Sequence, residues 1–363
     1  MTKTKLQQLH EHGQSPWLDN LRRDWLQDGT IRRRVDEGVR GITSNPSIFQ
    51  KAMTGGDAYD DDIRRLAVAG VPAEDAYWQM VVADIRSTLE VLRPVHDAAG
   101  GADGFVSLEV APSLANDEAG TTAAARRFFE EIAEPNLMVK IPGTAEGLGS
   151  IRQMVSEGRN VNVTLLFTLE RYAEVMEAYI AGLEAFDGDL STVHGVASFF
   201  VSRVDTEVDR RLEEVGTEEA LALRGKAAVA QAKLAYRLFR ETFSGPRWEA
   251  LAARGANVQR PLWASTSTKN PDYPPTLYVD TLIGPDTVNT LPEATIDAFE
   301  ASGTVARTVD ADLDEWSAAW DRIGGLVDLA DVGRTLEDEG VAAFVKSFDE
   351  VISSLQTKLA EIE

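Results

Sequence analysis

Apolar residues fall along this chain in two kinds of run that take turns. One kind is short and almost continuously apolar, as expected of parallel strands buried on both faces. The other is longer, with apolar positions recurring every third or fourth residue, the period of a helix facing a core. Trp78, Val81, Val82, Ile85, Leu89 and Leu92 carry this spacing through a helix predicted over 72–99. Strand-like runs lie at 15–20, 39–46, 104–112, 136–142, 160–167, 193–201, 260–265 and 276–280. Helical stretches fill the intervals: 2–12, the basic segment up to residue 37, then 119–133, 144–157, 168–186 and two more before 243. Three further helices, at 292–302, 313–322 and 331–362, follow the last predicted strand.

Strands alternating with helices imply right-handed βα units and a parallel sheet. Eight such units close into an α/β fold of one kind, a single (β/α)8 barrel of the triosephosphate-isomerase type with extra N- and C-terminal helices. No Pro/Ser-rich linker, low-complexity tract or repeat interrupts the pattern. Residues 1–363 therefore read as one domain, with 331–363 as an appended C-terminal helix. The competing architecture is a doubly wound open sheet, but no Gly-x-Gly-x-x-Gly follows the first strand.

Composition narrows the chemistry. The chain is 44% hydrophobic and 26% charged, ordinary for a globular protein. It has no cysteine, which excludes disulfides, thiolate catalysis and zinc–thiolate sites. His10, His12, His96 and His194 are too scattered to suggest a metal centre. No apolar run is long enough to span a membrane and no signal-type segment opens the chain, so a cytoplasmic location is expected. A net charge of −23 argues against nucleic acid as a partner. It also means that an anionic substrate would need a local cationic pocket set against the overall field. Monomer and homodimer both remain open.

One strand stands out. Asn136-Leu137-Met138-Val139-Lys140-Ile141-Pro142 is apolar on both faces yet holds a lysine near its C-terminal end. Desolvation disfavours the ammonium form, so a lysine there can become a nucleophile. Alternatively its stem packs while its head reaches water. In a barrel, catalytic groups gather at the C-terminal ends of the strands, and polar residues recur there: Asp19, Thr43 with Asn45, Glu109, Lys140, Asn162 with Thr164, and Ser198 followed by Arg203. The seventh strand runs into Ser265-Thr266-Ser267-Thr268-Lys269-Asn270. Each has a plain alternative. Asp19 could cap a helix, and Asn45 before Pro46 could only shape a turn. Asn162 and Thr164 could satisfy hydrogen bonds inside the barrel. Arg203 could pair with Asp205 or Glu207 on the surface. Glu109, interrupting a buried strand, is the hardest to explain structurally.

A neutral lysine, two carboxylates, several amides and hydroxyls and a cationic pair suit imine formation followed by carbon–carbon cleavage. The imine is the electron sink, so the scheme requires no cofactor and no metal. Here the sequence resembles the transaldolases, in particular a longer bacterial, actinobacterial-like branch. The likeness rests on Trp17-Leu18-Asp19-Asn20, Gly41-Ile42-Thr43-Ser44-Asn45-Pro46-Ser47, Val106-Ser107-Leu108-Glu109-Val110, Leu137 to Pro142 and Asn162-Val163-Thr164-Leu165-Leu166-Phe167. Ala197 to Arg203 and Ala264 to Pro271 extend it, in order, over residues 15–285.

The resemblance implies roles. Lys140 would form the Schiff base. Glu109 and Thr164 would hold a water that relays protons, and Asp19 would be the acid/base of carbon–carbon cleavage. Asn45 and Asn162, with Thr43, would orient the substrate, and Ser198 would line the site. Arg203, Ser267 and Lys269 would bind phosphate. Many relatives carry arginine where Lys269 stands, and Ser265 fits the serine position as well as Ser267 does. The implied reaction moves a dihydroxyacetone unit from sedoheptulose 7-phosphate or fructose 6-phosphate to glyceraldehyde 3-phosphate or erythrose 4-phosphate, in the non-oxidative pentose phosphate pathway. Two rivals keep the same residues: a fructose-6-phosphate aldolase-like lyase that releases dihydroxyacetone, and a non-catalytic barrel that only binds sugar phosphates. Asp60-Asp61-Asp62 and Asp310-x-Asp312-x-Asp314 read as helix openings rather than cation sites. Gly143 to Gly149 lacks the ending of a phosphate-binding loop. Trp316 and Trp320, four apart, mark a core face.

Overall fold

A computed structural model describes residues 3–362. Its centre is a closed barrel in which eight strands pair in sequence order, all parallel. They are β1 (Gln14–Leu18), β2 (Gly41–Thr43), β3 (Val106–Glu109), β4 (Leu137–Pro142), β5 (Val161–Leu166), β6 (Gly195–Phe200), β7 (Gln259–Ala264) and β8 (Thr287–Leu291). Helices surround the barrel, and the expected barrel is the one observed. Thr2, which opens the first predicted helix, and Glu363, which ends the last, lie outside the described residues.

The eighth strand is a correction. The run 276–280 is rich in β-branched and aromatic residues, yet it follows Pro274-Pro275 and forms a one-turn helix, Leu277–Asp280. The strand that closes the barrel is Thr287-Val288-Asn289-Thr290-Leu291, whose alternation of polar and apolar residues conceals its burial on both faces. Smaller differences have local causes. The basic segment before residue 37 splits into Arg23–Gln27 and Thr30–Glu37 because Gly29, at φ 79°, turns the chain between them. Pro46–Thr54, Asp60–Val68 and Gly245–Ala252 are additional helices. The three aspartates at 60–62 form the first turn of their helix, where negative charge suits the dipole.

Cross-strand register places the chemistry. Lys140 aligns with Glu109 on one side and Asn162 on the other, so their side chains project side by side into the barrel. Below them Trp17 fills the interior, and its indole N–H donates to Ser15 Oγ at 3.0 Å and Asp103 Oδ1 at 3.2 Å. Gly41 makes that packing possible. A Cβ at this position would lie 2.5 Å from the Trp17 ring.

Between β5 and β6 the register shifts, and Leu165 adopts a left-handed φ of 62°. Such a bulge re-aims the neighbouring side chain, here Thr164. The C-terminal helix Leu329–Ala360 packs against Pro46–Thr54 and Ala73–Ala98 and reaches the open end of the barrel through Phe344. Among the described residues no helix is long and apolar enough to cross a membrane.

Gly41→Ala is expected to lower folding stability by about 1–3 kcal/mol, the usual cost of overpacking a well-filled core. Urea denaturation of the two proteins side by side measures it.

Candidate active site

The C-terminal ends of the strands enclose a cavity of about 140 Å³. Asp19, Thr43, Asn45, Lys140, Thr164, Ser198, Arg203, Ser265, Ser267 and Lys269 all line it. Glu109 and Asn162 stand one step behind, each bonded to a neighbour rather than facing the space.

Lys140 is 5% exposed, so its head does not reach bulk water. Its Nζ donates to Glu109 Oε2 at 2.9 Å and to the Ser44 carbonyl at 3.1 Å. Burial pushes the Glu109 carboxyl above the ordinary range, while Lys140 pulls it back. The result is a carboxylate that accepts a proton more readily than a hydrated one. Thr164 lies beyond, and its hydroxyl has no protein partner among the described residues although it is buried. Asn162, in contrast, is held from both sides. It receives the Ser198 hydroxyl on Oδ1 at 2.7 Å and donates through Nδ2 to Ser107 Oγ at 3.0 Å.

Asp19 follows β1 and caps no helix. Its Oδ1 accepts from Thr43 Oγ1 at 2.8 Å, and that hydroxyl also meets Thr290 Oγ1 at 2.6 Å. Enclosure by protein raises the Asp19 carboxyl, with Lys140 and the Thr43 hydrogen bond opposing. Asn45 caps a helix and also faces the cavity. Its Oδ1 caps the helix Pro46–Thr54 by accepting from Ile48 N–H at 3.0 Å, while the residue lines the cavity.

Arg203 and Lys269 line the same cavity. Arg203 begins the helix Ser202–Val215, its guanidinium 5.3 Å from the Phe200 ring centre. The ion pairs open to it in the sequence are not made. Asp205 is occupied by Tyr278 and a backbone amide, and Glu207 by Arg210 and Arg211. Lys269 Nζ donates to Ser267 Oγ at 2.8 Å. Among the described residues no carboxylate forms an ion pair with Arg203 or Lys269. Desolvation lowers the pKa of both, and for Lys269 the nearby Arg203 and Lys51 lower it further. An anion entering here would relieve that repulsion. Ser265, at φ 55°, bonds Ser202 Oγ at 2.9 Å, which leaves Ser267 beside the lysine.

Several lining residues escaped sequence reasoning. Thr290 lay in the unrecognised strand. Phe200 and Ala264 end strands but carry no chemistry to mark them. Phe344 lies far along the chain, and its helical spacing does not reveal which surface it meets. Among the described residues no group of His, Asp or Glu side chains could hold a metal ion.

The family described as Transaldolase/Fructose-6-phosphate aldolase matches residues 16–355. Over 361 residues the chain is 52% identical to a transaldolase of Thermobifida fusca, covering 98% of each chain. It is 46% identical over 370 residues to transaldolase 1 of Streptomyces avermitilis, covering 99% of this chain and 96% of that one. A transaldolase of Mycolicibacterium paratuberculosis is 48% identical over 358 residues, with 97% and 96% covered. Agreement of this extent, on a barrel whose mouth gathers a lysine, two carboxylates and two cations, shows that the chain belongs to the transaldolase family.

Proposed function

We propose that the chain carries out the transaldolase reaction through an imine on Lys140, moving a dihydroxyacetone unit from a ketose phosphate to an aldose phosphate. The observation that carries this reading is the buried Lys140–Glu109 pair opening onto one cavity with Asp19, Arg203 and Lys269. The donor would be sedoheptulose 7-phosphate or fructose 6-phosphate, and the acceptor glyceraldehyde 3-phosphate or erythrose 4-phosphate. This assigns the enzyme to the transferases of the non-oxidative pentose phosphate pathway, in the cytoplasm.

Each residue then has a task. Glu109 takes the Lys140 proton, aided by its raised pKa, and the free amine attacks the ketone carbonyl. The same proton returns through a water held between Glu109 and Thr164, and the carbonyl oxygen leaves as water. Asp19, ionised, removes the proton of the hydroxyl that becomes an aldehyde. The carbon–carbon bond breaks, and its electron pair passes into the iminium to give an enamine. The first aldose departs. When the second arrives, the enamine attacks its aldehyde, Asp19 returns the proton to the new alkoxide, and hydrolysis frees Lys140. Thr43, Asn45 and Ser198 fix the polyol, and Asn162, held by its two bonds, orients it through Ser198. Arg203, Ser267 and Lys269 hold the phosphate. Phe200, Phe344 and Pro292 line the cavity with apolar surface, which limits water beside the enamine and favours transfer over release of dihydroxyacetone.

Borohydride reduction in the presence of fructose 6-phosphate should leave a three-carbon adduct on Lys140, seen by peptide mass spectrometry and absent from Lys140→Ala. Sugar-phosphate binding without any adduct would sink the imine mechanism in favour of a binding barrel. Asp19→Asn should still form the imine but fail at cleavage, so reduction would trap the six-carbon adduct while kcat falls by roughly 10²–10⁴-fold. The acid limb of the wild-type kcat profile should lie above 3.8, the ordinary aspartate value, because Asp19 must be ionised and its pKa is raised. An acid limb at or below that value would remove Asp19 from the role of base.

A further inference from the structure

The residues proposed to hold phosphate come from two separate elements. Arg203 is on the helix Ser202–Val215, and Ser267 and Lys269 are on the irregular segment that follows β7. A bidentate grip on one anion requires these two elements to keep a fixed separation, and irregular segments do not do so unaided. Two aspartates of the helix, one turn apart, bridge the gap.

Asp205 divides its carboxylate. Oδ1 accepts from the Ala228 N–H at 2.7 Å, and Oδ2 accepts from the Tyr278 hydroxyl at 2.7 Å. Asp209 repeats the arrangement, with Oδ1 accepting from the Gly225 N–H at 2.9 Å and Oδ2 from the Tyr273 hydroxyl at 2.5 Å. In each case one oxygen faces the start of the helix Ala227–Thr242, and the other faces a tyrosine beyond Lys269. Gly225 permits the second contact. Its φ is 71°, and a Cβ there would lie 2.8 Å from the Tyr273 ring. The near end of the segment is tied to the same helix, because Ser202 N–H donates to the Ser265 carbonyl at 3.1 Å and the two hydroxyls meet at 2.9 Å. The stretch that carries Ser267 and Lys269 is thus fastened to the Arg203 helix at both ends.

We propose that the pairs Asp205–Tyr278 and Asp209–Tyr273 are positioning residues for the anion site, setting Ser267 and Lys269 at a fixed distance from Arg203. They also keep Asp205 from pairing with Arg203, so the guanidinium keeps its charge free for the ligand. The chemistry of the device is not that of ordinary scaffolding. Asp205 is 2% exposed, and burial pushes its carboxyl up to about 7 against both hydrogen bonds. Apolar packing would join these elements with far less desolvation. What it would not supply is directional, fixed-length bonds.

This inference rests on the phosphate reading of Arg203, Ser267 and Lys269, and the test separates the two. Inorganic phosphate is used as a competitive inhibitor, and KM is measured for fructose 6-phosphate and for unphosphorylated fructose. Arg203→Ala should raise the phosphate Ki; if it does not, the phosphate reading itself falls. Tyr273→Phe combined with Tyr278→Phe should raise the phosphate Ki and the KM for fructose 6-phosphate about tenfold, as loss of alignment of charge-assisted bonds would. In the same protein kcat and the KM for fructose should stay within about twofold of wild type, a split that general loosening would not produce. Asp209→Asn retains an acceptor for Gly225 and a donor toward Tyr273, so it should preserve phosphate affinity where Asp209→Ala loses it. Should the double variant not fold, Tyr273→Phe, at a half-buried position, and the Asp209 pair decide by the same readings. An unchanged phosphate Ki in the folded tyrosine variants, alongside a raised one in Arg203→Ala, would overturn the proposal.

Discussion

The site depends on one buried ion pair. Lys140 and Glu109 face each other at 2.9 Å, both nearly sealed from solvent, inside a barrel of mostly apolar strands. Taking two charges out of water carries a large desolvation cost, and removing either partner leaves the other stranded. A barrel has little reason to hold such a pair for stability alone. What the pair supplies, on the proposed mechanism, is a lysine N–H held by an ordinary hydrogen bond to a carboxylate whose pKa burial raises. Neighbouring polar residues maintain that condition. The Ser44 carbonyl holds the lysine head from a second direction, and the hydrogen-bonded series Ser198, Asn162 and Ser107 lies beside it.

The second constraint is electrostatic and runs against the protein as a whole. A chain of net charge −23 repels phosphorylated sugars at long range. The mouth of the barrel reverses this locally by collecting cations and denying them partners. Most arginines elsewhere are paired with carboxylates, often within one turn of helix. Arg203 is an exception because Asp205 and Glu207 are already engaged, and among the described residues Lys269 likewise forms no ion pair. Burial, and then the charges of Arg203 and Lys51, lower the Lys269 pKa, and an anion bound as proposed would relieve that repulsion.

Much of this was legible in the sequence because barrel strands are short, apolar and periodic. Lys140 and Glu109 stood out as charged residues within otherwise apolar strands, and the other candidates followed at strand ends. β8 was misplaced for the opposite reason. Its Thr287, Asn289 and Thr290 are polar and buried, so the run lacks the continuous apolarity that marked its neighbours, while 276–280 imitates a strand in composition alone. Arg203 was ambiguous because spacing showed two possible partners but not that Tyr278 and other arginines had claimed them. Phe344 was beyond sequence reasoning, since periodicity reveals that a helix has an apolar face without revealing what covers it.

That last residue has a consequence for the order in which the molecule becomes competent. Asp19 and Thr43 belong to the first strands made during synthesis, Thr290 to the last strand, and Phe344 to the helix after it. Domains fold largely as the chain emerges from the N-terminal side. Here the first carboxylate of the cavity lacks part of its surroundings until β8 and the helix Leu329–Ala360 are in place. The cavity is complete only once the helix bearing Phe344, which follows all eight strands in the chain, has packed against its mouth.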